Sequence, residues 1–156
     1  MDLLPLFEWF ETTGPGLVVR ESVWLFPVIE ALHLLGLCLL GGALLVVDLR
    51  LLGLGLAETP VATLARHARP WLVAAVTLMT VTGVLLFLSE SVKCYYNTSF
   101  WVKITTFPVA LAFTFALRQR VVGAAAASRA AERLTALTSL TLWFVVAAAG
   151  RWIGFS

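Results

Sequence analysis

Four long apolar stretches constrain the fold of this chain more than any other feature of its sequence. A transmembrane helix needs about 20 mostly apolar residues to cross about 30 Å of hydrocarbon, and each stretch comes close to that length. The composition agrees, because 60% of the 156 residues are hydrophobic and only 13% are charged, unlike a soluble globular protein. We therefore predict an all-α membrane protein, a four-helix bundle with spans at about 18–47, 71–88, 100–117 and 134–150.

The N-terminal segment, residues 2–11, has the pattern of a short amphipathic helix with glutamates opposite its apolar face. The apolar positions are Leu3, Leu6, Phe7 and Phe10. Asp2 is placed to cap its first turn, and such helices usually lie in the plane of the membrane interface. The acidic start has no basic region and so does not resemble a signal peptide. We expect residues 1–156 to form one integral membrane domain.

Three prolines predict a kink and two helix starts in the first half of the chain. Pro27 falls inside the first predicted span and is expected to kink it. Thr59-Pro60 has the pattern of a helix start, since proline is favoured at the first helical position, and the amphipathic stretch 61–69 follows. Pro70 is expected to open the second span.

Basic residues are distributed unevenly between the two sides of this bundle. Seven of the 11 Lys and Arg side chains fall on the side of the connections after spans 1 and 3: Arg50, Arg66, Arg69, Arg118, Arg120, Arg129 and Arg133. The other four fall on the side of the termini: Arg20, Lys93, Lys103 and Arg151. Because basic loops remain cytoplasmic, we expect both termini on the outer side of the membrane, which for a bacterial inner membrane is the periplasm.

Two ionisable residues, Glu30 and His33, lie inside the first span among almost nothing but apolar neighbours. An ionisable side chain in hydrocarbon is costly, so it usually faces the bundle interior and marks a functional site. Residues three apart share one face of a helix. The sequence therefore predicts that Glu30 and His33 form part of one site.

His33 fits two interpretations. As an axial ligand it would bind haem, since neutral imidazole is a standard haem ligand; Glu30 would orient the ring, and Gly36, Gly41 and Gly42 would leave room for a flat macrocycle. As a packing residue it would hydrogen-bond across helices, and the glycines would permit close helix approach. The sequence leaves both interpretations open.

Other candidate site residues follow from their depth in the membrane. Met79 lies close to the depth of the histidine in the first span, as either a second axial ligand or a packing residue. Lys103 begins further out, but its long stem can reach inward, and Arg151 lies on the same side. Glu30 is expected either to act as a proton acceptor or to pair with one of these two cations. His67 falls at the opposite membrane face, so we do not expect it to share a metal with His33.

We expect structural roles for the remaining polar residues. Asp48 and Arg50 are expected to form a local pair at the end of the first span. The sequence has no Gly-rich phosphate loop, nucleophile triad or Cys/His metal cluster, and topology accounts for the basic connections. We therefore expect no nucleic-acid binding.

Several fragments together resemble a bacterial family of small four-span proteins without an assigned function. They are Ala31-Leu32-His33, Gly41-Gly42, Asp48-Leu49-Arg50, Thr82-Gly83, Phe100-Trp101-Val102-Lys103 and Gly150-Arg151-Trp152. The chain is also distantly similar to the copper-resistance D membrane proteins and to the haem-binding four-span protoporphyrinogen oxidase. This resemblance implies that His33 is a haem or metal ligand and that Lys103 is its functional partner.

The leading hypothesis is a haem b protein that moves electrons between a quinone or other membrane donor and a periplasmic partner. An alternative is copper or small-solute transport along a path of Glu30, His33 and Met79. A third is a structural subunit of a larger membrane complex. Whether the protein is a redox enzyme stays open. Its many glycines and alanines permit close helix packing, which favours a homo-oligomer.

The predicted orientation is testable by labelling intact cells with a membrane-impermeant thiol reagent. A cysteine introduced at Ser156 should be modified, because the termini are expected in the periplasm, and a cysteine at Ala126 should be protected. The reverse labelling pattern would refute the orientation.

Overall fold

The computed structural model describes residues 3–56, 58–124 and 127–155, which contain helices and no strand. Asp2, Ala126 and Ser156 lie outside these ranges. The helices are α1 (Leu4–Glu11), α2 (Gly14–Glu21), α3 (Leu25–Leu52), α4 (Val61–Ser89), α5 (Ser91–Tyr96), α6 (Thr98–Ala112), α7 (Gln119–Gly123) and α8 (Arg129–Ile153). One π-helical turn, Phe113–Arg118, joins α6 to α7, so that 98–123 is one continuous rod.

Four segments are long and apolar enough to cross a membrane: α3, α4, the 98–123 rod and α8. They contain 28, 29, 26 and 25 residues, more than the about 20 that the hydrocarbon thickness requires. The prediction of an all-α four-helix bundle is confirmed. The chain is a multi-pass membrane protein.

The first span begins later than the sequence analysis predicted. Residues 14–21 form the separate helix α2, and the long helix α3 starts only at Leu25. Pro27 consequently lies in the first turn of α3, where its missing N–H is not needed. The proline therefore marks a helix start rather than a kink within the span.

The predicted amphipathic stretch 61–69 and the second span form a single helix, α4. This helix begins at Val61 and continues through Pro70 to Ser89. A proline inside a helix removes one backbone hydrogen bond, but membrane helices tolerate this because neighbouring groups satisfy the freed carbonyl. Pro70 therefore does not separate two elements.

Local sequence signals mark the end of α3 and the starts of α6 and α8. Helix α3 stops at Gly53, whose φ of +82° lies in the left-handed region that glycine adopts without strain. Asn97 caps α6 by accepting backbone N–H bonds from the first turn through its side-chain oxygen, and Ser128 caps α8 in the same way.

The core lies between α3, α4, α8 and the 98–123 rod. Helix α3 packs against both α4 and α8, and α8 packs against α6. Buried side chains from all four spans meet in one cluster: Leu40, Leu44, Leu72, Ala75, Ala110, Trp143 and Val146. The Trp143 ring meets the Phe107 ring edge to face, with 6.2 Å between centroids. Its indole N–H donates to the Thr114 hydroxyl at 2.9 Å, so the buried indole is satisfied.

The two ends of the bundle differ in chemistry. The aromatic end carries α1, α2 and α5 and a cluster of ring side chains, Phe7, Phe87, Tyr95 and Phe100. The arginine end carries the connections after α3 and α7, with Arg66, Arg69, Arg118, Arg120, Arg129 and Arg133.

Helix α1 is anchored to the aromatic end through both faces of its amphipathic pattern. Phe7 is buried at the centre of the ring cluster. The Ser91 hydroxyl donates to the Phe7 carbonyl at 2.6 Å, and the Val92 N–H donates to the Glu11 carboxylate at 2.9 Å. These bonds join α1 to α5, so the N-terminal helix covers this end of the bundle.

We expect Gly16→Ala to destabilise the protein, because a Cβ built on Gly16 would lie 2.5 Å from the Leu88 carbonyl oxygen in α4. Backbone cannot yield as a flexible side chain does, so α2 must shift away from α4 at a cost of about 1–3 kcal/mol. Thermal unfolding in detergent measures the change. Gly42→Ala is the matched control, since a Cβ there meets nothing within 4 Å. An equal Tm for both variants would contradict this packing.

Candidate functional site

His33 forms a side-chain hydrogen bond between α3 and α4. Its Nδ1 lies 2.8 Å from the hydroxyl oxygen of Thr82. Thr82 is buried, and its hydroxyl lies 2.7 Å from the carbonyl oxygen of Leu78 one turn earlier in α4. The imidazole is half-buried. The three groups form a short chain from the α4 backbone to the ring.

This chain of contacts is compatible with a ring proton on Nδ1 of His33. The Leu78 carbonyl can only accept, and the Thr82 hydroxyl has a single proton to donate. With that proton on the bond to Leu78, the His33 Nδ1–H donates to Thr82 and Nε2 keeps its lone pair. Neutral imidazole of this form binds metals, and a ligating histidine normally donates its other N–H to the protein.

Two glycines leave space for the polar side chains of this region. A Cβ on Gly83 would lie 3.2 Å from Cε1 of His33, and one on Gly150 would lie 3.3 Å from Nζ of Lys103. Both distances are tighter than ordinary contact, so the ring and the ammonium lie directly against the backbones of α4 and α8. This is the usual role of small residues between membrane helices.

Lys103 brings a positive charge into the same region, within electrostatic range of the His33 ring. Across the described residues, no hydrogen bond or ion pair joins its ammonium to another side chain. Cys94 also lies within electrostatic range, but burial raises the pKa of its thiol to about 11, so this neutral thiol is no counter-ion. A cation without a counter-ion is costly in a membrane span, so an anionic ligand would stabilise the charged form of Lys103.

Glu30 does not supply that anion, and neither Glu30 nor Arg151 belongs to this cluster. The Glu30 side chain is exposed rather than turned to the interior, and the predicted pair with Lys103 or Arg151 does not form in the described chain. Arg151 is also exposed, and its guanidinium lies over the Phe155 ring at 4.2 Å from the centroid. Both residues lie on the surface of the bundle.

Met79 and His67 have different environments. Met79 packs into the core cluster and against Gly36, where a Cβ would lie 2.9 Å from Cγ of the methionine. It is three residues before Thr82, on the same face of α4. His67 is exposed near the arginine end, away from His33, as the sequence predicted.

A second polar cluster lies closer to the arginine end and was not anticipated from the sequence. Arg118 donates from Nε to Oδ1 of Asp48 at 2.7 Å, and the Ser139 hydroxyl donates to Oδ2 at 2.6 Å. Asp48 is fully buried and the Arg118 side chain is only 5% exposed. Both carboxylate oxygens are therefore satisfied, which a buried ion pair requires. The cluster ties α3, the 98–123 rod and α8 together.

The π-helical turn places Arg118 in this cluster. It spans Phe113–Arg118 and ends on the arginine itself. A π-helical turn inserts one extra residue into an α-helix and so changes the face that the following side chains occupy. Thr114, in the same turn, accepts the Trp143 indole bond. The turn thus carries both polar side chains of the rod that are buried, Thr114 and Arg118.

The predicted local pair of Asp48 with Arg50 is wrong as to the partner, because Asp48 pairs with Arg118. Arg50 instead donates from Nε to the Thr59 carbonyl at 3.0 Å. One signal in the sequence was available: Asp48 and Arg118 each lie about one turn before the end of a span that reaches the same membrane side. Opposite charges at matching depths favour pairing.

No group of three or more His, Cys, Asp or Glu side chains within the described ranges is arranged to hold a metal ion.

Comparison with known proteins gives one result. Residues 6–156 match a family described as a family of unknown function (DUF6644). The chain belongs to this family. No curated protein and no solved structure matches it. The similarity to copper-resistance D proteins and to protoporphyrinogen oxidase stays a prediction.

We expect Asp48→Asn to destabilise this family member by about 3–5 kcal/mol, because it leaves the buried Arg118 charge without its counter-ion. Arg129→Gln is the matched control, since it breaks the exposed pair with Glu132, in which the arginine side chain is 73% exposed. Exposed pairs contribute about 0–1 kcal/mol. Unfolding by denaturant in detergent measures the free energy of unfolding of both variants. Similar losses in the two variants would show that the Asp48–Arg118 pair is not critical.

Proposed function

We propose that this membrane protein binds haem b in the half of the bundle nearer the aromatic end, where Nε2 of His33 would hold the iron. The observation that carries the proposal is the contact between His33 Nδ1 and the Thr82 hydroxyl. It holds the ring and, with the Thr82 proton on the bond to the Leu78 carbonyl, leaves Nε2 with its lone pair. A haem brings four nitrogen ligands of its own, so one imidazole suffices to attach the iron to the chain.

Lys103 supports the same assignment. Haem carries two propionate carboxylates, and an ammonium forms charge-assisted hydrogen bonds with carboxylates. Lys103 lies within electrostatic range of His33 and has no anionic partner among the described residues. The donor set thus fits haem: a neutral imidazole, a cation for a propionate, and Gly83 and Gly150 beside them.

Of the other candidates, we assign none to the cofactor. Glu30 and Arg151 are exposed. Met79 lies on the same face of α4 as Thr82, which is the Nδ1 side of the His33 ring.

Bound haem would supply one-electron transfer in the membrane. In this chain Thr82 orients the imidazole, Lys103 holds a carboxylate, and the ring cluster of Phe7, Phe87 and Phe100 covers the nearby end of the bundle. We propose that electrons pass between a quinone in the bilayer and a redox partner at the aromatic end. With the arginine end in the cytoplasm, that partner would be periplasmic.

The test is the visible spectrum of the protein purified from haem-replete cells. We expect a reduced-minus-oxidised α band of the b type in the wild type and its loss in His33→Ala. His67→Ala is the matched control, because His67 is an exposed histidine near the opposite end and its removal should leave the haem content unchanged. Gel filtration in detergent shows that each variant is folded. A colourless wild type, or a fully loaded His33→Ala, would overturn the proposal.

Two further variants separate ligand positioning from folding. Thr82→Val keeps the volume but removes the acceptor of the Nδ1–H bond, so the haem should be retained with a raised reduction potential. Lys103→Met keeps the apolar stem but removes the cation, so haem affinity should fall. A colourless wild type that folds normally would favour the copper or solute transport and structural-subunit alternatives.

A further inference from the structure

A groove at the arginine end has the shape and charge of a lipid-binding site. It lies between α3, α4 and α7 and has a volume of about 210 Å³. Its floor is apolar and includes Ala43, Val47 and Leu72, and its rim carries Arg66 and Arg69. The groove is separate from the His33 region and plays no part in the proposed haem site.

The positive charge on this rim is uncompensated. Arg66 and Arg69 are three residues apart on α4, so they share one face of the helix, and both are exposed. No ion pair or hydrogen bond joins either to another residue of the described chain. Arg118 also lines the groove, but Asp48 neutralises its charge. No lining residue is acidic.

The depth of the groove matches the boundary between lipid headgroups and acyl chains. Trp71 lies beside the groove residues Arg69 and Leu72 in sequence and is 62% exposed. Exposed tryptophans of membrane proteins concentrate at the level of the headgroups. The rim arginines therefore lie at headgroup level, and the floor continues from there towards the hydrocarbon.

We propose that this groove binds one anionic phospholipid, with the phosphate between Arg66 and Arg69 and an acyl chain along the apolar floor. Arginine forms strong, charge-assisted bonds with phosphate, and basic pockets between transmembrane helices on the cytoplasmic side accept anionic headgroups. Free phosphate shares the headgroup chemistry, but it has no apolar part to cover Ala43, Val47 and Leu72.

Native mass spectrometry of the full-length protein in mild detergent tests the proposal, with dioleoyl phosphatidylglycerol and dioleoyl phosphatidylcholine as the two probes. We expect one tightly bound phosphatidylglycerol and no comparable site for phosphatidylcholine. Each basic residue near a membrane surface contributes about fivefold to the binding of anionic lipid. Arg66→Gln with Arg69→Gln should therefore weaken phosphatidylglycerol binding about 30-fold.

The matched control is Arg129→Gln with Arg133→Gln, which removes the same charge from exposed arginines of α8 that do not line the groove. It should bind phosphatidylglycerol like the wild type. A second test, Ala62→Phe, fills the groove but keeps both rim arginines and should also weaken binding. The proposal would be overturned if both double variants lost phosphatidylglycerol binding equally, or if the wild type bound both lipids equally. It would also be overturned if Ala62→Phe bound phosphatidylglycerol like the wild type, or if a 10-fold excess of inorganic phosphate displaced the lipid fully.

Discussion

The buried ion pair between Asp48 and Arg118 sets the arrangement of three of the four spans. Lipid tails are as apolar as leucine, so apolar packing alone selects weakly among the possible rotations and registers of transmembrane helices. A buried carboxylate is different, because removing its counter-ion leaves an uncompensated charge in a medium of low dielectric constant. The Asp48 carboxylate accepts hydrogen bonds from Arg118 Nε at 2.7 Å and from the Ser139 hydroxyl at 2.6 Å, so these contacts constrain how α3, the 98–123 rod and α8 face one another. The bond from His33 to Thr82 then fixes α4 against α3.

Hydropathy was sufficient to predict the number and type of the spans, because a bilayer admits only helices or closed barrels and requires a minimum apolar length. It was not sufficient for their ends or faces. Residues 14–21 are apolar enough to extend a span, yet they form α2. Helix α3 is apolar on nearly every side, so its sequence did not show which face is buried, and Glu30 proved to be exposed. The partner of Asp48 lies 70 residues away and depends on a π-helical turn that no residue pattern predicts.

His33 could be predicted as a site residue from the sequence, because that prediction does not depend on which face of α3 is buried. A single imidazole inside an apolar span is conspicuous at any rotation of the helix, since burying it without a partner is costly. The sequence also indicated Thr82-Gly83 and Lys103 as residues of interest. That indication came from the resemblance to known families and not from the periodicity of apolar residues. Their geometry required the structure: the Thr82 hydroxyl lies 2.8 Å from Nδ1 of His33, while Gly83 leaves space for the ring.

The two polar clusters differ in one respect that bears on function. Around Asp48 every charge is matched and both carboxylate oxygens are bonded, which is the condition of a structural contact. Around His33 the pairing is incomplete among the described residues: Nε2 has no hydrogen bond, and the Lys103 ammonium has no anion. Neither atom is fully buried, so both are open to a ligand, and ionisable groups within membrane spans usually mark functional sites. A ligand that offers both a metal and a carboxylate would satisfy the two groups at once. The haem proposed above is a ligand of this kind, whereas a bare metal ion would leave the charged form of Lys103 without an anion.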